Sequence, residues 1–141
     1  MQLKKLYIKD YKILKDFTIE FPYDFNQYIS ILIGTNGSGK STILEAIAKV
    51  FSNVYLNEKA EFGFELVYSV NLEKTMNETS TTKDSTVLNL MVKLSAEKEG
   101  DYVKFEFHDK DYSKENINLL EKGFSADSFF PDNVIVYYSG L

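Results

Sequence analysis

Cysteine is absent from these 141 residues, which excludes disulfides, thiolate zinc clusters and thiol nucleophiles. Arginine is absent too, since all 16 basic residues are lysine, so the segment has no arginine finger of its own. No apolar run is long enough to span a bilayer. The N-terminus alternates Lys with apolar residues instead of carrying a signal-peptide core, so no membrane partner and a cytoplasmic location are expected. Asn77-Glu78-Thr79 matches a glycosylation acceptor, but without a secretion signal it is not expected to be used. The single histidine, His108, falls at the outer end of an expected strand, a solvated position.

Hydrophobic residues make up 44% of the chain and charged residues 26%, the balance of a globular domain with a real core. The net charge of −5 is unevenly placed: residues 1–50 carry seven Lys against five acids, and residues 51–141 nine Lys against sixteen. The acidic second half is a poor surface for a phosphate backbone, so weak binding to duplex DNA is expected of this segment.

Leu3 to Ile8 and Phe17 to Phe21 read as strands, joined by a polar connection from Asp10 to Asp16. In the second, Phe17, Ile19 and Phe21 alternate with Thr18 and Glu20, as one buried face requires. Tyr28 to Ile33 is almost continuously apolar, the pattern of a strand covered on both faces. Beyond it, Ile43, Leu44, Ile47, Val50 and Phe51 recur at helical spacing, predicting a helix from about Lys40 to Phe51. Three alternating stretches follow: Phe62 to Val70, Leu88 to Leu94 and Val103 to Phe107, the last two joined by a charged turn at Glu97 to Asp101. They read as a half-exposed antiparallel meander. Asn71 to Ser85 is polar, and residues 71–86 are expected to be a flexible loop. Ser113 to Glu121 suits a short helix ending at Gly123, and Val134 to Tyr138 a second apolar strand. The ten Tyr and eleven Phe sit mainly at strand spacing, which favours core over base-stacking platforms. Glu45 lies off the apolar stripe and reads as an exposed helix carboxylate.

Between the apolar strand and the helix lies Gly34-Thr35-Asn36-Gly37-Ser38-Gly39-Lys40-Ser41, which fits the phosphate-binding pattern G-x-x-x-x-G-K-[ST]. Glycines let the backbone turn tightly, so that successive N–H groups point at phosphate oxygens. Lys40 supplies a point charge for the β- and γ-phosphates. The Ser41 hydroxyl is the expected Mg²⁺ ligand, and the helix starting there aims its positive end at the anion. Asn36, Gly37, Ser38, Gly39, Lys40, Ser41 and Thr42 are therefore the candidate site for ATP and Mg²⁺.

The form Gly-x-Asn-Gly-Ser-Gly-Lys-Ser-Thr, at Gly34 to Thr42, resembles the P-loop of ABC-type ATPases, and AAA family ATPase is a further expected description. The opening Leu3-Lys4-Lys5-Leu6-Tyr7-Ile8-Lys9-Asp10-Tyr11-Lys12 resembles the start of SMC and RecF-like DNA-repair ATPases. In those, a basic residue after an aromatic reaches the nucleotide, and the resemblance gives that role to Lys12. Phe130 to Gly140 is similar to a segment of bacterial defence ATPases of the Septu or restriction-associated kind, often paired with a nuclease. The fold class implied is α/β, a partial P-loop NTPase core of ABC type with an N-terminal strand pair and an antiparallel meander.

The departures are as informative. The resemblance calls for an apolar strand ending in Asp-Glu, a Ser-Gly-Gly signature, a switch histidine and a glutamine ending an early core strand. None is recognisable; Gln2 and Gln27 are the only glutamines, and Ser139 is at most a stand-in. Residues 1–141 are thus expected to be the N-terminal ATP-binding lobe of a longer ATPase, one that binds ATP without hydrolysing it alone. Its partners would be the remaining half or a second copy, with DNA or a nuclease as partners of the full-length protein. An ATP-sensing regulatory module and a transporter ATPase subunit are the alternatives. A small-molecule kinase is disfavoured by the meander after the helix.

Overall fold

A computed structural model of the chain describes residues 1–22, 30–75, 85–107, 129–131 and 134. Its strands are β1 (Gln2–Tyr11), β2 (Leu14–Glu20), β3 (Phe64–Thr75), β4 (Ser85–Ala96) and β5 (Lys104–Phe107), and its helix is α1 (Lys40–Tyr55). The strands form one sheet in the order β2-β1-β3-β4-β5, every adjacent pair antiparallel. The expected strand pair and meander are therefore parts of the same sheet.

Alternation sets the register. Ile19 pairs with Leu6, Leu6 with Leu66, Leu66 with Leu94 and Leu94 with Phe105, so one apolar row crosses all five strands. The neighbouring row runs Phe17, Ile8, Phe64 and Ala96. A one-residue slip in any strand would turn its members of these rows to the opposite face. Leu6, Ile8, Leu66, Tyr68, Val92 and Leu94 are all fully buried. α1 packs on this face through Ile43, Ala46, Val50 and Phe51, with the Phe51 and Tyr68 rings edge-on at 5.7 Å.

Two backbone approaches fix how the strands join. β1 and β2 meet in a two-residue turn at Lys12-Ile13, shorter than the expected connection, because both strands extend toward it. At the start of β3, a Cβ on Gly63 would lie 2.6 Å from the Glu97 carbonyl oxygen, so only glycine lets the charged hairpin 97–101 close over this point. That hairpin is anchored: the Ala60 N–H donates to the Asp101 carbonyl at 2.8 Å, and the Gly100 N–H to the Ala60 carbonyl at 2.8 Å.

Several expectations are corrected. Ser30 to Ile33 is not in a strand, and Ile31 and Ile33 are 79% and 92% exposed. An apolar run signals a surface that needs covering, and no described strand lies beside this one to cover it. Leu44 is on the exposed side of α1 and Ala46 on the buried side, which rotates the packed face from the expected stripe. The helix also runs one turn past Phe51, to Tyr55. Asn71–Thr75 and Ser85–Asn89 pair in register, so both ends of the stretch read as a loop belong to the sheet. Residues 76–84, the helix at 113–121, His108, Gln27 and Ser139 lie outside the described residues, as does the strand at 134–138 except for Val134.

Candidate functional site

Gly39 ends the glycine-rich loop at φ 94 and is the N-cap residue of α1. A Cβ there would lie 2.9 Å from Leu14 Cδ2 and 3.3 Å from Ile13 Cδ1. The left-handed backbone and the close approach both demand glycine. The consequence is architectural: the tip of the β1–β2 hairpin rests on the last glycine of the loop.

The loop itself is open. Gly37 lies at its crest, where a Cβ would meet nothing within 4 Å. No side chain caps α1, and its first turn holds no acid, leaving the positive end of the helix facing the loop. Lys40 folds back across it: its Nζ donates to the carbonyls of Gly34 at 2.6 Å and Thr35 at 2.7 Å, and to Ser38 Oγ at 3.3 Å. The Ser38 N–H donates to the Thr35 carbonyl at 3.2 Å. Ser41 is exposed and Thr42 half-buried on the first helical turn.

Such a cradle fits a polyphosphate: uncapped amides, a helix N-terminus with no acid in its first turn, and an ammonium held by neutral carbonyls. It also fits a hydrated Mg²⁺ brought with the phosphates. Among the described residues there is no cluster of three or more His, Cys, Asp or Glu that could hold a metal ion.

Lys12 sits next to this cradle, at the hairpin tip, with φ 52. A non-glycine residue in the left-handed region is uncommon and costs about 1–2 kcal/mol. Its ammonium does not lie over the loop. It grips Glu45 on α1, donating to Oε1 at 2.8 Å and Oε2 at 2.6 Å. The Tyr11 hydroxyl donates to Glu45 Oε1 at 2.9 Å, and the Tyr11 ring packs on Phe62 with centroids 4.3 Å apart. The Lys12 hydrogen bonds, then that of Tyr11, hold the Glu45 carboxyl below its ordinary value. Burial, then the bond to Glu45, pushes the Tyr11 hydroxyl above its own. One turn on, Lys49 pairs with Glu61 at 2.6 Å.

Of the sequence-predicted site, Asn36 to Thr42 form one contiguous lip, and Lys12 is brought beside it through Ile13 and Leu14. Glu45, read as a solvated carboxylate, is instead the point where hairpin and helix are joined. Ile13 and Leu14 touch Gly39 and Tyr11 bonds Glu45, contacts that the sequence does not announce. The adjacency of Tyr11 and Lys12 was visible; nothing in the spacing of 33 residues to Glu45 pointed to their common partner.

Among the described residues no helix is long and apolar enough to cross a membrane. No curated protein and no solved structure gives a significant match to the chain. The AAA ATPase domain family matches residues 1–134, a span that takes in the whole sheet, the loop and α1. Over nearly its full length, then, this chain belongs to the AAA ATPase domain family, and nucleotide binding is the property that membership implies.

Proposed function

We propose that residues 34–42 are a Walker A P-loop that holds the phosphates of ATP together with Mg²⁺. The observation that carries this is the uncapped start of α1 behind an open glycine loop, with Lys40 Nζ turned onto the Gly34 and Thr35 carbonyls. Lys40 exchanges those neutral acceptors for phosphate oxygens, a charge-assisted and stronger bond. The amides at the start of α1 bind the anion, and Ser41 turns its hydroxyl toward the cation. Mg²⁺ held there by the Ser41 hydroxyl would supply charge neutralisation at the phosphates. Lys12, carried on the hairpin that rests on Gly39, adds a second cation at the edge of the cradle.

The chain is, in this reading, the N-terminal ATP-binding lobe of an ABC-type ATPase of the SMC/RecF-like branch, linked to DNA repair or phage defence. Support comes from the Gly34 to Thr42 form of the loop and the opening strand pair with Tyr11-Lys12. The exposed Ile31 and Ile33 are apolar surface that the remaining half or a second copy would cover. A water-orienting acid, a signature segment and a switch histidine are not recognisable in the sequence, so turnover needs groups from elsewhere. An ATP sensor without hydrolysis is the second reading, favoured by that same missing acid.

Thermal melting with and without millimolar Mg-ATP tests the binding. A ligand at a hundred times its Kd stabilises by about 2.7 kcal/mol, so a clear upward shift is expected and no shift would sink the reading. Phosphate release by the same sample should stay far below about 1 s⁻¹, the low end of ordinary enzyme rates.

A further inference from the structure

We propose that Glu45 is the positioning residue for Lys12: an internal anion that occupies the Lys12 ammonium in the nucleotide-free chain and yields it when phosphate arrives. This rests on the P-loop reading above and goes beyond it, since it assigns the resting partner against which phosphate competes.

Three observations converge on it. The Lys12 ammonium takes both oxygens of one carboxylate at 2.8 and 2.6 Å, the geometry a phosphate would otherwise offer. The hairpin that carries Lys12 touches the loop itself, through Ile13 and Leu14 against Gly39, so the ammonium has only the reach of its own side chain to travel. The carboxylate also keeps a donor when Lys12 leaves, because the Tyr11 hydroxyl stays on Oε1 at 2.9 Å, held by its ring on Phe62.

The exchange is cheap in both directions. Lys12 and Glu45 side chains are 52% and 40% exposed, so water can solvate each partner while they separate, and the pair is worth little in free energy. It therefore shifts nucleotide affinity without blocking it. In the resting chain Lys40 is held in the same manner, by the Gly34 and Thr35 carbonyls. Each of the two cations then has an internal acceptor to leave, one anionic and one neutral. The anionic one sets the larger electrostatic penalty, because the carboxylate also repels the incoming phosphates.

Titration of the full chain with Mg-ATP at low salt, for wild type, Glu45→Gln, Lys12→Met and the double variant, tests it. Glutamine preserves size and an acceptor for Tyr11. Glu45→Gln should bind ATP about twofold to fivefold tighter, the range an exposed pair can supply. With Met at position 12 that gain should fall by more than half, leaving only through-space repulsion. Raising the salt should shrink it as well. A role in folding alone would change the melting temperature and leave this coupling at zero. Unchanged or weaker ATP binding by Glu45→Gln, or a gain undiminished in the Lys12→Met background, overturns the proposal. A wild type that binds no ATP, or binds it as Lys40→Ala does, refutes the P-loop reading, and the proposal falls with it.

Discussion

Lys12 and Glu45 stand 33 residues apart in the chain and meet through both carboxylate oxygens, at 2.8 and 2.6 Å. The contact joins the turn of the first hairpin to the second turn of α1, beside the glycine loop. It also keeps a lysine in a backbone conformation that favours glycine, with φ 52.

That conformation separates stability from function at one position. Both variants lose the ion pair to Glu45, but Lys12→Gly relieves the left-handed strain whereas Lys12→Ala keeps it. The glycine variant should therefore be more stable than the alanine variant by about 1 kcal/mol, while both bind Mg-ATP more weakly than wild type. Urea unfolding of the two variants checks the first part. Equal midpoints would mean that the turn is not strained in solution.

Tyr68 bears on the far end of the core. Its side chain is fully buried, and its hydroxyl donates to the Phe129 carbonyl at 3.0 Å. Phe129 in turn packs against Phe105 and Phe107 of β5, with centroids 5.7 and 5.4 Å away. Tyr68→Phe keeps the ring and orphans that carbonyl, so a loss of about 1–3 kcal/mol is expected. A variant as stable as wild type would show that the bond does not hold residue 129 in place.

Acid should loosen the joint between hairpin and helix. Lys12 and Tyr11 lower the Glu45 carboxyl in the folded chain, and Lys93 lowers that of Glu106. A folded-state value below the unfolded one gives stability that is present above the ordinary glutamate value of 4.5. It is lost as pH falls through the depressed value. Glu45→Gln should therefore destabilise less at about pH 3 than at about pH 7, since acid removes part of the same interaction from the wild type. A penalty independent of pH, measured by urea unfolding at both values, would assign the effect to something other than charge.

Much of this arrangement could be read from the residues. Alternation through Phe62, Phe64, Leu66, Tyr68 and Val70 gave a buried face, and all five are buried. The helix begins at Lys40, where the pattern of glycines ends. Other features were hidden for physical reasons. The Lys12-Ile13 turn contains no Gly, Asn, Asp or Pro to announce it, so the strands looked shorter than they are. Ile31 and Ile33 spell burial by composition, but composition does not say which surface covers them. Leu44 and Ala46 differ in hydrophobicity in the sense opposite to their burial, because helix rotation is set by close approach to the sheet and a small side chain permits it. Glu45 carries no local signal of its partner, since the contact depends on where the hairpin lands.

The assignment of Lys40 to the nucleotide phosphates is tested most directly by calorimetric titration of wild type and Lys40→Ala with Mg-ATP. The alanine variant removes the ammonium together with its bonds to the Gly34 and Thr35 carbonyls, and keeps the glycines and the helix N-terminus. Affinity should fall at least tenfold, about 1.4 kcal/mol or more, with the melting temperature in the absence of nucleotide little changed. Equal affinity in the two proteins would contradict it and remove Lys40 from the site.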